Sequence, residues 1–320
     1  MGKIHEMLKG EDKLEVVSGI EVPVNVFVST GNIALDWAIT SKFKGGGVPV
    51  GRVVEFFGDP STGKSLLLSH IYANTQKMGG IVVADDAEHA YDEFFSKRVG
   101  VNTEDLLMIS SETVEEHFTK VDTIVDKIRK MDEDVIITIS LDSLAILSTK
   151  HEKEVGFEKV DMFKAKLIRQ GMRSLGGKFS KQNVLYVVAN QTIANIGNRY
   201  GPKSTTPGGG GVPFQATVRV ELKMRGMIED MYKKKIGVKV NAKVVKNRVA
   251  PPFKEVNIEI FFDRGVDRLS GLFDVLVEEG IFQEAGGWYT YKDKKERRFA
   301  LEERLEEILE EVVNGKISVQ

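Results

Sequence analysis

Residues 58–65 read Gly58-Asp59-Pro60-Ser61-Thr62-Gly63-Lys64-Ser65 and fit the pattern G-x-x-x-x-G-K-[ST] without a mismatch. No other stretch constrains the fold as tightly. Such a loop works between a strand and a helix: its glycines allow a tight turn that aims successive backbone N–H groups at phosphate oxygens, and the helix N-terminus adds its positive dipole end. The flanks meet that requirement. Arg52, Val53, Val54, Glu55, Phe56 and Phe57 have the β-branched and aromatic character of a buried strand, and residues 66–73 carry an apolar helical run. Lys64 is placed to reach the β- and γ-phosphates and Ser65 to hold Mg²⁺, so the loop predicts a nucleoside triphosphate ligand rather than a plain glycine-rich turn.

At 320 residues the chain has room for one large α/β domain and a smaller unit. Its content, 42% hydrophobic and 29% charged, suits a globular chain, and no apolar run approaches the roughly 20 residues of a membrane helix. The first residues lack the apolar core of a secretory signal, and the absence of cysteine excludes disulfides and thiolate metal sites; a cytoplasmic protein is expected. A net charge of −2 gives no bulk attraction to nucleic acid, which leaves a local basic groove as the way to bind it.

Residues 1–28 hold a short amphipathic run and an extended stretch, too little to fold alone; they form an arm packed on its own domain or docked on a neighbouring subunit. A helix over 33–39 follows with Thr30 or Asn32 as cap, and residues 45–49 form a loop. A second buried strand over 81–84 ends in Asp85, Asp86, Ala87, Glu88 and His89. Ligands bind at the carboxyl edge of open α/β sheets, so Glu88 is a candidate base beside the γ-phosphate, the alternative being a solvated turn; His89 reads as a structural histidine. A helical period over 115–131 leads to an apolar strand ending at Asp142, the Walker B arrangement in which a carboxylate supports Mg²⁺ through water. Thr138 and Ser140 make that strand unusually polar.

Residues 151–160 read as a charged loop and 161–175 as a helix on which Lys166, Arg169 and Arg173 share one face, either solvated or facing an anion. The strand over 184–189 ends in Asn190 and Gln191 and opens into a glycine-rich segment, 197–211, whose basic, aromatic and hydroxyl residues suit a loop that orders on a phosphate backbone. Strict alternation places Val218, Val220, Leu222 and Met224 on one face of the next strand. Further antiparallel strands follow, and residues 265–320 read as a small α+β appendage.

The order of these parts resembles the bacterial RecA recombinase family in a shortened, phage-like form. The resemblance rests on Ser29-Thr30-Gly31 with Leu35-Asp36, the phosphate loop, Asp86-Ala87-Glu88-His89-Ala90 with Asp92, Leu141-Asp142-Ser143, Asn190-Gln191, Thr205-Thr206 with Gly208-Gly209, Val244-Val245-Lys246-Asn247 with Pro252-Phe253, and Ala285-Gly286 with Trp288-Tyr289. It implies a RecA-type α/β P-loop ATPase core at 29–264 with a central, mostly parallel sheet, an N-terminal oligomerisation arm at 1–28, and a small C-terminal domain at 265–320. It further implies an ATP- and Mg²⁺-dependent helical homofilament on single-stranded DNA that pairs it with homologous duplex and exchanges strands.

Carried over by position, Gly58 to Ser65 and Leu66 would hold ATP, Ser65 and Asp142 the Mg²⁺, and Asp92, Phe95 and Phe262 the adenine pocket. Glu88 would activate water, Gln191 would sense the γ-phosphate, and Lys246 and Arg248 would reach the neighbouring protomer's ATP, much as an arginine finger does. Met162, Lys166, Arg169 and Arg173 match the first DNA loop and the helix behind it; Ile196, Gly197, Asn198, Arg199, Gly208 and Gly209 match the second. Departures fall mainly in the DNA loops, where Ile193 and Asn195 replace basic positions; Phe95 stands for a stacking tyrosine and Arg248 for a lysine. The acidic tail of many members is not found, so damping of duplex binding by such a tail is expected to be absent. Two other readings remain: a RecA-like accessory ATPase that binds DNA without exchanging strands, and a RecA-fold helicase, which the matches at 244–247 and 285–289 disfavour.

Overall fold

The computed structural model describes residues 24–155, 163–194, 204–207 and 209–315. Of the arm, only its last residues fall within that range. There β1 (Phe27–Val28) pairs with β2 (Val48–Pro49), so the stretch read as a loop at 45–49 ends in a strand. Between them lies α1 (Ile33–Thr40), whose cap is Asn32: its side chain accepts from the Leu35 N–H, whereas Thr30 donates to Asp36.

The central layer then builds up through β3 (Val53–Gly58), α2 (Lys64–Lys77), β4 (Ile81–Asp86), α3 (Glu93–Arg98), β5 (Leu106–Ile109), α4 (Val114–Met131) and β6 (Ile137–Asp142). After α5 (Lys150–Val155), α6 (Phe163–Lys181) and β7 (Val184–Gln191), a small antiparallel pair, β8 (Ile193–Ala194) and β9 (Ser204–Thr205), and α7 (Gly211–Gln215) lead into β10 (Val218–Glu229), β11 (Lys235–Asn247), β12 (Glu255–Phe261) and β13 (Gly265–Val266). These strands form one nine-stranded sheet in the order β13-β12-β11-β10-β3-β7-β6-β4-β5. From β10 to β5 neighbours run parallel; from β10 to β13 they run antiparallel. The chain ends with α8 (Leu272–Glu278), a three-stranded sheet of β14 (Gln283–Ala285), β15 (Trp288–Tyr291) and β16 (Lys294–Glu296), α9 (Arg298–Glu302) and α10 (Leu305–Val313), around a separate core that includes Phe273, Phe282 and Ile308.

Strand alternation decides which side each helix covers. Leu185, Val187 and Ala189 of β7 join Leu67, Leu68 and Ile71 of α2, while Val184, Tyr186 and Val188 meet the apolar stripes of α4 and α6 on the other face. The polar residues of β6 face α2, where each hydroxyl finds a partner: Thr138 with Thr75 at 2.7 Å and Ser140 with the Tyr72 hydroxyl at 2.5 Å. Burying them therefore leaves no hydrogen bond unmade.

The structure corrects four further sequence readings. Residues 150–155, expected in a loop, are helical because Thr149 and Glu152 form a reciprocal capping box, each backbone N–H donating to the other's side chain at 3.0 Å. The helix expected to end at 175 runs through Gly176 and Gly177 to Lys181, since Phe179 is buried on Tyr186 and Lys178 reaches Asp122 and Asp126 of α4. Met224 is exposed despite its alternation, because β3 pairs with β10 only as far as Leu222. His89 is exposed in a turn at φ 54; the buried structural histidine is His117, held between Asp85 and the Tyr186 hydroxyl at 2.6 Å each.

Another histidine ties α2 to the sheet edge. His70 Nε2 accepts from the Val266 N–H at 2.9 Å, beneath Gly265, where a Cβ would stand 2.2 Å from that nitrogen. Burial, with a lesser push from Lys77, lowers its pKa from 6.5 to about 4. The neutral ring is thus favoured on folding. Its contribution is complete above pH 6.5 and lost as pH falls toward about 4, an effect of about 2–3 kcal/mol. His70→Gln, which retains an acceptor, should flatten that part of the stability profile in urea unfolding; an unchanged slope would reject the assignment.

Candidate nucleotide site and its catalytic groups

The phosphate loop leaves the carboxyl end of β3 and enters α2 at Lys64. Its first glycine is required by crowding, since a Cβ on Gly58 would lie 2.1 Å from the Leu222 carbonyl oxygen of β10. Lys64 is nearly buried and donates to the carbonyls of Gly58 at 3.1 Å and Asp59 at 2.8 Å. Burial lowers its pKa, against the opposing pull of Asp142 and Glu88. Thr62 donates to the Asp59 carbonyl, closing the loop.

A cleft of about 310 Å³ opens beside this loop. Pro60, Ser61, Gly63, Lys64, Ser65 and Leu66 form one wall, Glu88, Asp142 and Gln191 the floor, and Val238 and Phe262 the far side. The tips of β4, β6 and β7 thus bring together candidates that lie far apart in sequence. Asp92 and Phe95 line an adjoining cavity of about 90 Å³ that shares Ser65, Leu66 and Asp142 with the cleft. There the Asp92 carboxylate caps α3 by accepting from the Phe95 N–H, and the Phe95 ring is buried.

The Ser65 hydroxyl donates to Asp142 at 2.6 Å. Burial raises the pKa of Asp142; the Ser65 bond opposes this, and Glu88 and Asp86 add to it. A carboxylate so desolvated gains from a cation. Among the described residues no group of three or more His, Cys, Asp or Glu could enclose a metal. One hydroxyl and one carboxylate suit Mg²⁺, which keeps several waters and takes further ligands from substrate phosphates.

Glu88 stands across the cleft floor. Its Oε1 accepts from the Ser143 hydroxyl at 2.6 Å and from Gln191 Nε2 at 3.2 Å. The other acidic residues of that strand end serve the fold. Asp86 accepts from the N–H groups of Ala90 and Tyr91; burial alone would raise Asp85, but hydrogen bonds from His117 and Ser111 hold its pKa down. Val238 and Thr192, whose hydroxyl donates to Asp59, were not singled out from sequence, and Ser143 entered there only as the residue after the Walker B aspartate, without a role.

Lys246 and Arg248 lie elsewhere. In register, Lys246 faces Arg219 of β10, which faces Glu55 of β3, three residues before Gly58 and so roughly 10 Å back along the strand. Lys246 donates to the carbonyls of Pro213 and Phe214, and burial, with Arg248 and Arg219 nearby, lowers its pKa to about 8. Lys166, Arg169 and Arg173 are exposed along α6, opposite buried Ile168, Met172 and Leu175. Gly209 lies against Ala165 at the start of this helix, and Gly211 against Arg169. Met162, Ile196, Gly197, Asn198, Arg199 and Gly208 lie outside the described residues.

A phosphate loop between strand and helix, on a largely parallel sheet extended by antiparallel strands, defines the class: a P-loop ATPase core of RecA type. The family described as RecA N-terminal domain matches residues 4–267. Similar proteins include the RecA protein of Chloroherpeton thalassium, 37% identical over 92% of this chain and 77% of its own, and that of Thermus thermophilus, 37% identical over 89% and 83%. The RecA protein of Methylobacterium radiotolerans is 38% identical over 84% and 71%. The chain belongs to the RecA family of recombinases. No helix among the described residues is long and apolar enough to cross a membrane.

Proposed function

We propose that the protein is an ATP- and single-stranded-DNA-dependent recombinase that assembles as a helical homofilament in the cytoplasm and exchanges homologous strands. The observation that carries this reading is the Gln191–Glu88 contact at the point where β7 gives way to the glycine-rich segment. One side chain there meets the candidate base, and its chain continues through β8 into the candidate DNA loop. We assign residues 1–28 to an oligomerisation arm, 29–264 to the ATPase and DNA-binding core, and 265–320 to a C-terminal domain.

In this mechanism Lys64 and the N–H groups of residues 59–65 hold the ATP phosphates. Ser65 and Asp142 hold Mg²⁺, which supplies charge neutralisation on the phosphates. Glu88 takes a proton from the attacking water, and Gln191 leaves Glu88 for the γ-phosphate, drawing on the segment behind it. Asp92, Phe95 and Phe262 take the adenine. Lys246 and Arg248, set back from their own phosphate loop, serve the next protomer's ATP. Lys166, Arg169, Arg173 and Gly209, with Met162, Ile196, Gly197, Asn198, Arg199 and Gly208, line the DNA path, where phosphate contacts supply affinity and base pairing tests homology.

The test is ATP hydrolysis with and without single-stranded DNA, paired with strand exchange on long homologous and heterologous duplexes. DNA-stimulated turnover with product only from homologous pairs is expected, weakening as salt rises. Stimulation without exchange would instead support an accessory ATPase.

A further inference from the structure

Glu55 is fully buried in the middle of β3, and no step of the proposed mechanism uses it. A carboxylate in that position is costly unless its partners are fixed, and removing one partner typically destabilises strongly. Its two oxygens divide their partners between two functional regions. Oε2 accepts from Arg219 Nε at 2.5 Å; Oε1 accepts from Asn190 Nδ2 at 3.1 Å.

Arg219 lies between Glu55 and Lys246 in a single row across β3, β10 and β11, and its guanidinium is held over the Phe57 ring at 4.5 Å. Asn190 directly precedes Gln191. Its amide also reaches the Pro207 carbonyl at 3.3 Å, within the glycine-rich segment, while its Oδ1 is buried without a partner. An arrangement with one acceptor unsatisfied is one that a small rotation of Asn190 can change.

We infer that Glu55 is a positioning residue: it fixes Arg219, Arg219 fixes where Lys246 and Arg248 stand, and Asn190 couples that row to the strand carrying Gln191. This rests on the reading that Lys246 and Arg248 act on the neighbouring protomer's ATP. The row then connects the site that a protomer owns to the one it completes.

The test crosses Glu55→Gln, which keeps shape and removes charge, with Lys246→Ala. DNA-dependent ATP turnover and thermal unfolding of the full chain are read for all four proteins. Glu55→Gln is expected to lower kcat about tenfold with little change in KM, and to cost less than about twofold once Lys246 is alanine, a coupling of the size seen between contacting residues. Its effect on thermal unfolding should be the same in both backgrounds. An equal kcat loss in both backgrounds overturns the proposal while leaving the trans reading intact. Unchanged turnover in Lys246→Ala alone removes the trans reading and the proposal with it. Where residual turnover is too low to read, filament assembly on single-stranded DNA with a non-hydrolysable ATP analogue replaces it. If Glu55→Gln does not fold, Arg219→Lys takes its place in the same cycle.

Discussion

Lys64→Ala is expected to abolish ATP-driven strand exchange and to lower ATP turnover by about 10²–10³-fold, the usual cost of removing one preorganised donor from a transition state. Two roles end together in that variant. The ammonium is attracted by Asp142 and Glu88, and it also braces the loop through the Gly58 and Asp59 carbonyls. The buried ammonium is held away from water, where a phosphate oxygen gains more from it than in solution. Lys64→Arg separates the roles, since it retains charge but not the compact point donor that fits beneath the loop. The measurement is steady-state hydrolysis alongside equilibrium binding of a fluorescent ATP analogue. Strand exchange at the parent rate in Lys64→Ala would sink the mechanism.

The second large effect is on Glu88. Glu88→Gln should bind ATP and single-stranded DNA as the parent does and lose turnover by about 10²–10⁴-fold, the range for a general base. The amide retains an oxygen able to accept from Ser143 and Gln191, so the floor of the cleft keeps its shape while the proton acceptor is gone. Assembly with ATP should therefore persist and disassembly should slow. Single-turnover hydrolysis, followed by light scattering of filaments, distinguishes this from a folding defect. Parent-like turnover would remove Glu88 from the chemistry and leave it as an anchor for Gln191.

Much of this site was legible because its signals are local in sequence. The phosphate loop is contiguous, and Asp142 and Gln191 end apolar strands whose character announces parallel, buried pairing; Glu88 lies two residues beyond the end of such a strand. The rule that ligands gather at carboxyl edges then brings them to one place. Pairing across the sheet was not legible. Glu55 announced itself only as a charge in an otherwise apolar strand, and nothing in its neighbours named Arg219, 164 residues on, as its partner. The same limit explains the histidines. His89 and His117 look alike in sequence, and only the placement of Asp85 and Tyr186 two strands apart in one sheet, both within reach of the helix carrying His117, made the second a buried bridge. At 150–155 charge and the following glycine mask in sequence the Thr149-x-x-Glu152 cap that starts a helix.

The position of Lys246 and Arg248, set back along the sheet from their own phosphate loop, has a consequence for counting. If each protomer lends its cations to one neighbour, a row of n protomers closes n − 1 sites, and the terminal member always holds ATP without help. A pair then works at half the rate per protomer of a long row. Turnover becomes a measure of length, slow in fragments and steady in long assemblies, and the terminal subunit keeps its nucleotide longest. Growth and loss at the two ends are thereby unequal without any further regulator.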